Sequence, residues 1–371
     1  MKIKGNPLTP ESQQQSSPAN EKADELLHSE LDRRLAPSIS AGIVDVEGLK
    51  WAQTVGLADV EEHRPANPAS IYAIGSVTKV FTATLLMILN QEGRIDLNTP
   101  AGSFLRSGSL GPLDPSATPP ISVLDLATHT SGLPRDPPCA SDAGDDPYHG
   151  FSEADLYRVI RELPPVVERG IVQYSNLGFG ILGHIVERVR GIPWEQALSR
   201  FILEPLAMHS TSLDSSSPVL ATECTTGYAG ETGQRRVPPW NFGALAACGA
   251  LWSNLEDMAR FLRANLVVCN RPDPAFALSC ASARRMWSPR PHVRSQERWK
   301  QGIGWLVTND LELGTRLWHN GGVGGHSSYV GFLPNQAIAV IVLLNRAEVY
   351  GRAEELGVEL LNIWLKSCSD K

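Results

Sequence analysis

Apolar residues recur at helical spacing in "ADELLHSELDRRL" (Ala23 to Leu35), and the next stretches, "ISAGIVDVEG" and "LKWAQTVGLADV", alternate as strands do around a turn at Glu47-Gly48. The chain therefore opens helix, strand, strand. From Ser76 to Asn90 it is apolar or small on nearly every face, which predicts a buried helix. A Pro- and Gly-rich region from Asn98 to Gly150 follows, broken by "ISVLDLATHTSGL", a short helix that Ser122 can cap. Its second half, "PRDPPCASDAGDDPYHG", reads as a mobile surface loop. Helical periodicity resumes in "SEADLYRVIREL", "LGFGILGHIVERVRG", "PWEQALSRFILEPL" and "NLEDMARFLRANLV". Strand patterns return in "GIGWLVTND", "TRLWHNGG", "SSYVGFLP" and "AIAVIVLLN", and "AEELGVELLNIWLK" closes the chain as a helix.

Strands at both ends with helices between predict an α/β fold. One antiparallel sheet of roughly five strands, flanked by helices, is built from residues 23–95 and 240–371, with a mostly helical domain, 96–239, inserted. Residues 1–22 are rich in Ser, Gln and Pro and read as a disordered tail. There is no internal repeat.

Composition narrows the function classes. With 371 residues, 42% of them hydrophobic, the chain can bury a sizeable core. A net charge of -7 without long runs of one sign disfavours nucleic acid and anionic membrane surfaces as partners. The opening residues lack the apolar core of a secretory signal, and no apolar run reaches about 18 residues, so a cytoplasmic location is expected. The six cysteines include no Cys-x-x-Cys pair, so neither a metal site nor a disulfide framework is expected; Cys269 and Cys280 would bridge a loop only in an oxidising compartment.

Candidate chemistry starts from Lys79, the only charged residue between Arg64 and Glu92. An unpaired buried ammonium costs several kcal/mol, of order 2 to 5. Ser76 lies one helical turn earlier on the same face, behind Gly75, so hydroxyl and amine can touch. Desolvation lowers the pKa of an ammonium from its reference of about 10.4, which equips a lysine to take a serine proton. Gly75 lets a substrate approach, and a helix N-terminus offers free amides to an oxyanion.

Further stretches fall into place around this pair. "VQYSNLGFGILGHIVERV" puts Tyr174 and Asn176 on a turn before a helix, and "RLWHNGGVGGHSSYVGFLPN" puts His319, Asn320, Gly321 and Gly322 at a strand end. Together with "LATHTSGLP" and "GALWSNLEDMARFL", these motifs resemble the serine β-lactamase and penicillin-binding-protein superfamily, in its class C-like branch of esterases and acyltransferases. The resemblance runs from about residue 25 to the C-terminus and implies a β-lactamase/transpeptidase-like fold. It also implies Ser76 as the acylated nucleophile, Lys79 and Tyr174 as its proton-handling partners, and Asn176 as a group that holds the acyl side and the lysine. The amides of Ser76 and Gly322 would form an oxyanion hole beside Gly321. Where the family's lactamases read Lys-Thr-Gly, this chain reads His319-Asn320-Gly321, which replaces a permanent cation with a histidine and favours uncharged acyl substrates.

The reading that results is a serine hydrolase for an ester or thioester, with a small-molecule or carrier-bound acyl substrate and no cofactor. Acyl transfer or cyclisation, β-lactam hydrolysis, D-aminopeptidase activity and an inactive binding protein on the same fold are the alternatives. His326, Trp240 and Trp252 are candidate pocket residues, and His129 a loop-bonding one. Nothing in the pattern sets an oligomeric state. "GFGILG" (Gly178 to Gly183) matches a dinucleotide pattern, but follows a turn rather than a strand and reads as helix packing.

Overall fold

The computed structural model describes residues 17–369, apart from 106–109, 139–144, 165, 167–169, 214–220, 232, 272 and 291–297. It opens with α1 (Pro18–Asp32), β1 (Ser38–Asp45), β2 (Gly48–Asp59), β3 (Arg64–Pro65), β4 (Tyr72–Ala73) and α2 (Thr78–Gln91). Four helices follow, α3 (Val123–Ala127), α4 (Glu153–Glu162), α5 (Asn176–Arg190) and α6 (Trp194–Leu198), then β5 (Gly227–Ala229), β6 (Arg235–Val237) and β7 (Trp252–Ser253). The last part holds α7 (Leu255–Val267), α8 (Cys280–Trp287), β8 (Lys300–Gln301), β9 (Leu306–Asp310), β10 (Gly314–Val323), β11 (His326–Leu333), β12 (Ile338–Leu344) and α9 (Tyr350–Ser369).

The main sheet runs β3-β2-β1-β12-β11-β10-β9-β8 and is antiparallel throughout. Its eight strands exceed the roughly five expected, because β3 and β8 are two residues each, too short for a period-two pattern to register. The two ends of the chain meet at its centre, where Ile39 of β1 stands opposite Leu344 of β12. Strand β12 shows why it is apolar at every position. Ile338, Val340, Val342 and Leu344 pack into one core with Leu27 of α1 and Leu356 and Leu360 of α9. Ala339, Ile341 and Leu343 face the other core, with Phe81 of α2 and Phe261 of α7. Alternate side chains leave opposite faces of a strand, so covering both faces demands a continuous apolar run.

Three local expectations change. Helix α1 starts at Pro18 with Ser17 as its cap, the Ser17 Oγ accepting from the Asn20 amide at 3.2 Å, so residues 17–22 are ordered helix rather than tail. Residues 1–16 of that tail lie outside the described residues. Helix α8 was not expected, because "CASARRMW" mixes small and charged residues without a clear stripe. Its first residue, Cys280, is joined by a disulfide to Cys269 just beyond α7, a pairing the sequence reading allowed only in an oxidising compartment. Among the described residues no helix is long and apolar enough to cross a membrane.

The glycines of "GFGILG" serve packing. A Cβ on Gly180 would sit 2.2 Å from Leu245 Cδ2, and one on Gly183 would sit 2.4 Å from the Ala247 Cβ, so α5 lies directly against the 3-10 turn Gly243–Cys248. A Cβ at Gly183 has no flexible neighbour to displace. Gly183→Ala should therefore cost about 1–3 kcal/mol, seen as a lower urea midpoint; an unchanged midpoint would mean that this contact is slack.

Candidate active site

Ser76 does not sit within the helix as expected but on a 3-10 turn, Gly75–Val77, that feeds into α2. Lys79 is on the first turn of α2 and is fully buried. Its Nζ donates to Ser76 Oγ at 3.1 Å, to Asn176 Oδ1 at 2.8 Å and to the carbonyl of Cys248 at 2.7 Å. An ammonium has three N–H groups, so each one has an acceptor. None of the three acceptors is a carboxylate; the rings of Tyr174, at 4.8 Å, and Phe179, at 5.8 Å, add their negative faces.

Backbone contact fixes the serine turn against β10. Gly75 adopts φ +51, and a Cβ there would lie 3.1 Å from the Gly322 amide nitrogen. A Cβ on Gly321 would lie 2.1 Å from the Ile74 carbonyl, an oxygen that also accepts from Ser328 Oγ at 2.8 Å. Strand β9 pairs with β10 only as far as Leu306 opposite Trp318. From His319 to Val323 no strand among the described residues pairs with that edge of β10, and the serine turn packs against it. The serine turn is thereby held against the Gly322 backbone.

Asn176 opens α5, whose cap is Ser175: its Oγ accepts from the Gly178 amide at 2.9 Å. While Asn176 Oδ1 faces Lys79, its Nδ2 donates to Asp136 Oδ1 at 2.7 Å and lies 3.1 Å from the Tyr148 hydroxyl. Tyr148 also donates to Asp136. Burial pushes the Tyr148 hydroxyl above the ordinary phenol range, with Cys248 and Asp136 adding to it, so it stays a donor. Asp136 and Tyr148 come from the stretch read as a mobile surface loop. The described part of that stretch is tied to the site, and Tyr148 is only 4% exposed. Sequence reasoning missed both residues; an acidic residue two positions after "SGLP" and one Tyr in a Pro-rich run carried no periodic signal.

Tyr174 presents its ring, not its hydroxyl, to Lys79. The ring stacks on His129 at 4.4 Å, and Arg135 lies 5.1 Å over it. His129 Nδ1 accepts from the Ser175 amide at 3.0 Å, the loop-bonding role expected of it. His319 is 2% exposed, and its Nδ1 donates to the Asn320 carbonyl at 2.6 Å, which leaves Nε2 as an acceptor. Burial, with the Lys79 charge added, pulls its pKa down to about 3, so it is neutral at pH 7.

The other candidates stand apart. His326 is buried against Tyr72 and Trp252, within hydrogen-bond reach of Thr225 Oγ1 at 2.9 Å, and burial lowers its pKa to about 4. With Trp252 and Gly324 it lines a cavity of about 510 Å³ that does not include Ser76 or Lys79. Trp240 packs on Tyr148 at 5.8 Å and against Gly324, and so walls the flank beyond Asn176. Burial pushes the Cys248 thiol up to about 11, and its carbonyl, not its sulfur, serves Lys79.

Comparison with known proteins meets this geometry. A family model described as Beta-lactamase matches residues 23–361. The chain belongs to the Beta-lactamase family. It is 29% identical over 302 residues to a penicillin-binding protein 4 of Amycolatopsis lactamdurans, covering 79% of this chain and 76% of that one. It is 27% identical over 346 residues to an unguisins hydrolase, ungD', of Aspergillus campestris, covering 88% of this chain but spanning only 62% of that longer protein. The octameric penicillin-binding protein homologue from Pyrococcus abyssi superposes with a TM-score of 0.79 at 26% identity, over 93% of this chain and 77% of that one. The fold is thus that of β-lactamases and penicillin-binding proteins, and the chain is of the serine hydrolase superfamily that uses it.

The buried histidines set a pH response. His129, His319 and His326 are held neutral by burial, with folded values below the unfolded reference of about 6.5. Their contribution is complete above that reference. As pH falls through it, the unfolded chain takes up protons that the folded one refuses, at up to about 1.4 kcal/mol per pH unit per histidine. His319→Gln should remove about one proton from the slope of unfolding free energy between pH 6 and 4.5; urea melts that give the native slope would contradict this.

Proposed function

We propose that the chain is a hydrolase that cleaves an ester or thioester of a small molecule through an acyl-enzyme on Ser76. The observation that carries this is the satisfied Lys79 ammonium, bonded to Ser76 and Asn176 at the foot of the free β10 edge. As the free amine, Lys79 turns a lone pair toward Ser76 Oγ at 3.1 Å and accepts the hydroxyl proton as that oxygen attacks the substrate carbonyl. The new Oγ–C bond puts negative charge on the carbonyl oxygen, between the Ser76 and Gly322 amides, where each donor is worth about 10²–10³ in rate. The C–O or C–S bond to the leaving group then breaks, and the proton held by Lys79 passes to it. Water reverses the sequence and frees the acid.

A neutral His319 supports uncharged acyl substrates over β-lactams, because no permanent cation stands at that position. The inactive-scaffold reading is less economical: it would leave a buried ammonium, Asn176 and a backbone-tight serine turn without a purpose. The Cys269–Cys280 bond favours an oxidising compartment over the cytoplasmic location expected from the sequence.

Kinetics with a p-nitrophenyl ester and a chromogenic cephalosporin test the reading. The ester should turn over, and the cephalosporin at least about 10²-fold less well. Ser76→Ala should abolish turnover, and Asn176→Ala should lower kcat/KM by about 10²-fold. Turnover that rises on adding an alcohol or amine, with the acylated acceptor as product, would move the assignment to acyl transfer. An efficient cephalosporinase without esterase activity would overturn it.

A further inference from the structure

Three large hydrophobic side chains stand exposed among the described residues: Leu49, Leu311 and Tyr350. Only Tyr350, the first residue of α9, borders the site. A Cβ built on Gly322 would lie 3.0 Å from Tyr350 Cδ1 and 3.4 Å from Cε1, so the ring edge fills the space that a side chain at Gly322 would take. The neighbouring Gly321 faces the other way, toward the Ile74 carbonyl and the serine turn. The serine turn at Gly75 and the Tyr350 ring thus both border Gly322, whose amide would hold the oxyanion.

Its position is built rather than incidental. Ser327 is the register partner of Gly322. The Ser327 Oγ donates to the Arg346 carbonyl at 2.7 Å and accepts from the Val349 amide at 3.1 Å, which pins the turn leading into α9. Glu348 in that turn takes a left-handed φ of +62, and Ala347 donates its amide to the Tyr228 carbonyl at 2.8 Å. Two anchors thus hold the ring against Gly322, yet Tyr350 remains 47% exposed. An aromatic ring kept open to solvent beside the reacting region offers a face on which another ring can stack.

The two flanks of the site differ. Beyond Asn176, the Asp136, Tyr148 and Trp240 side chains pack together and close that flank. On the flank beyond Gly322, Tyr350 is the exposed apolar surface. We propose that Tyr350 is the surface on which the leaving group rests, so that the enzyme selects esters or thioesters of ring-bearing alcohols or thiols. This rests on the acyl-enzyme reading of Ser76.

The test holds the acyl group fixed and varies the leaving group, using phenyl butyrate and ethyl butyrate, then varies the acyl group with phenyl acetate and phenyl butyrate. Tyr350→Ala should lower kcat/KM for the phenyl ester relative to the ethyl ester by about tenfold, and leave the acetate-to-butyrate ratio unchanged. Tyr350→Phe should keep native selectivity. Intact-mass detection of a phosphonate on Ser76 is run in parallel. If Ser76 labels but Tyr350→Ala lowers both esters equally, or shifts the acetate-to-butyrate ratio, the inference fails and the acyl-enzyme reading stands. If the native protein neither labels at Ser76 nor turns over any ester, the reading fails and takes the inference with it.

Discussion

The structure around the site depends on one buried ammonium. Lys79 is enclosed completely, and its charge is tolerated because three acceptors take its three N–H groups: a hydroxyl, a side-chain amide oxygen and a backbone carbonyl. Each acceptor comes from a different part of the chain. Ser76 belongs to the turn before α2, Asn176 to the start of α5, and Cys248 to the 3-10 turn packed under α5. Satisfying the lysine therefore ties the helices to the serine turn, and loss of any one acceptor leaves an unmet buried donor.

The second constraint is steric. Glycines at 75 and 321 let two backbone segments touch where any side chain would separate them. Strand β9 stops short of this point, so the edge of β10 is left for the serine turn and for a substrate. Helices α1 and α9 on one face, and α2 and α7 on the other, keep that edge rigid through cores built on alternate residues of β12. Rigid support is what an oxyanion site requires, since its donors must be in place before charge develops.

Much of this was legible in the sequence. The alternation of β1 and β2, the unbroken apolar run of β12 and the apolar face around Lys79 marked the sheet and the buried helix, because period and burial are local properties of sequence. Ser76, Lys79 and Asn176 were readable as a set, and the structure brings them within hydrogen-bond reach of one another through the lysine. Asp136 and Tyr148 were not readable. They act through contacts with Asn176 across about 30 to 40 positions of chain, and a Pro-rich stretch has no period to reveal them. Tyr350 was hidden for the same reason: its meaning comes from Gly322, its neighbour across the strand. His326 and Trp252 were read as pocket residues, and they line a cavity whose lining does not include Ser76 or Lys79.

The central claim is that Lys79 activates Ser76, and the rate of covalent capture tests it most directly. Intact-mass spectrometry would follow phosphonylation by a fluorophosphonate in the native protein and in Lys79→Ala, with peptide mapping to locate the adduct. The account predicts a single adduct on Ser76 in the native chain and a rate at least about 10²-fold lower in the folded Lys79→Ala variant. Capture of Ser76 at the native rate without Lys79, or an adduct on another residue, would contradict it.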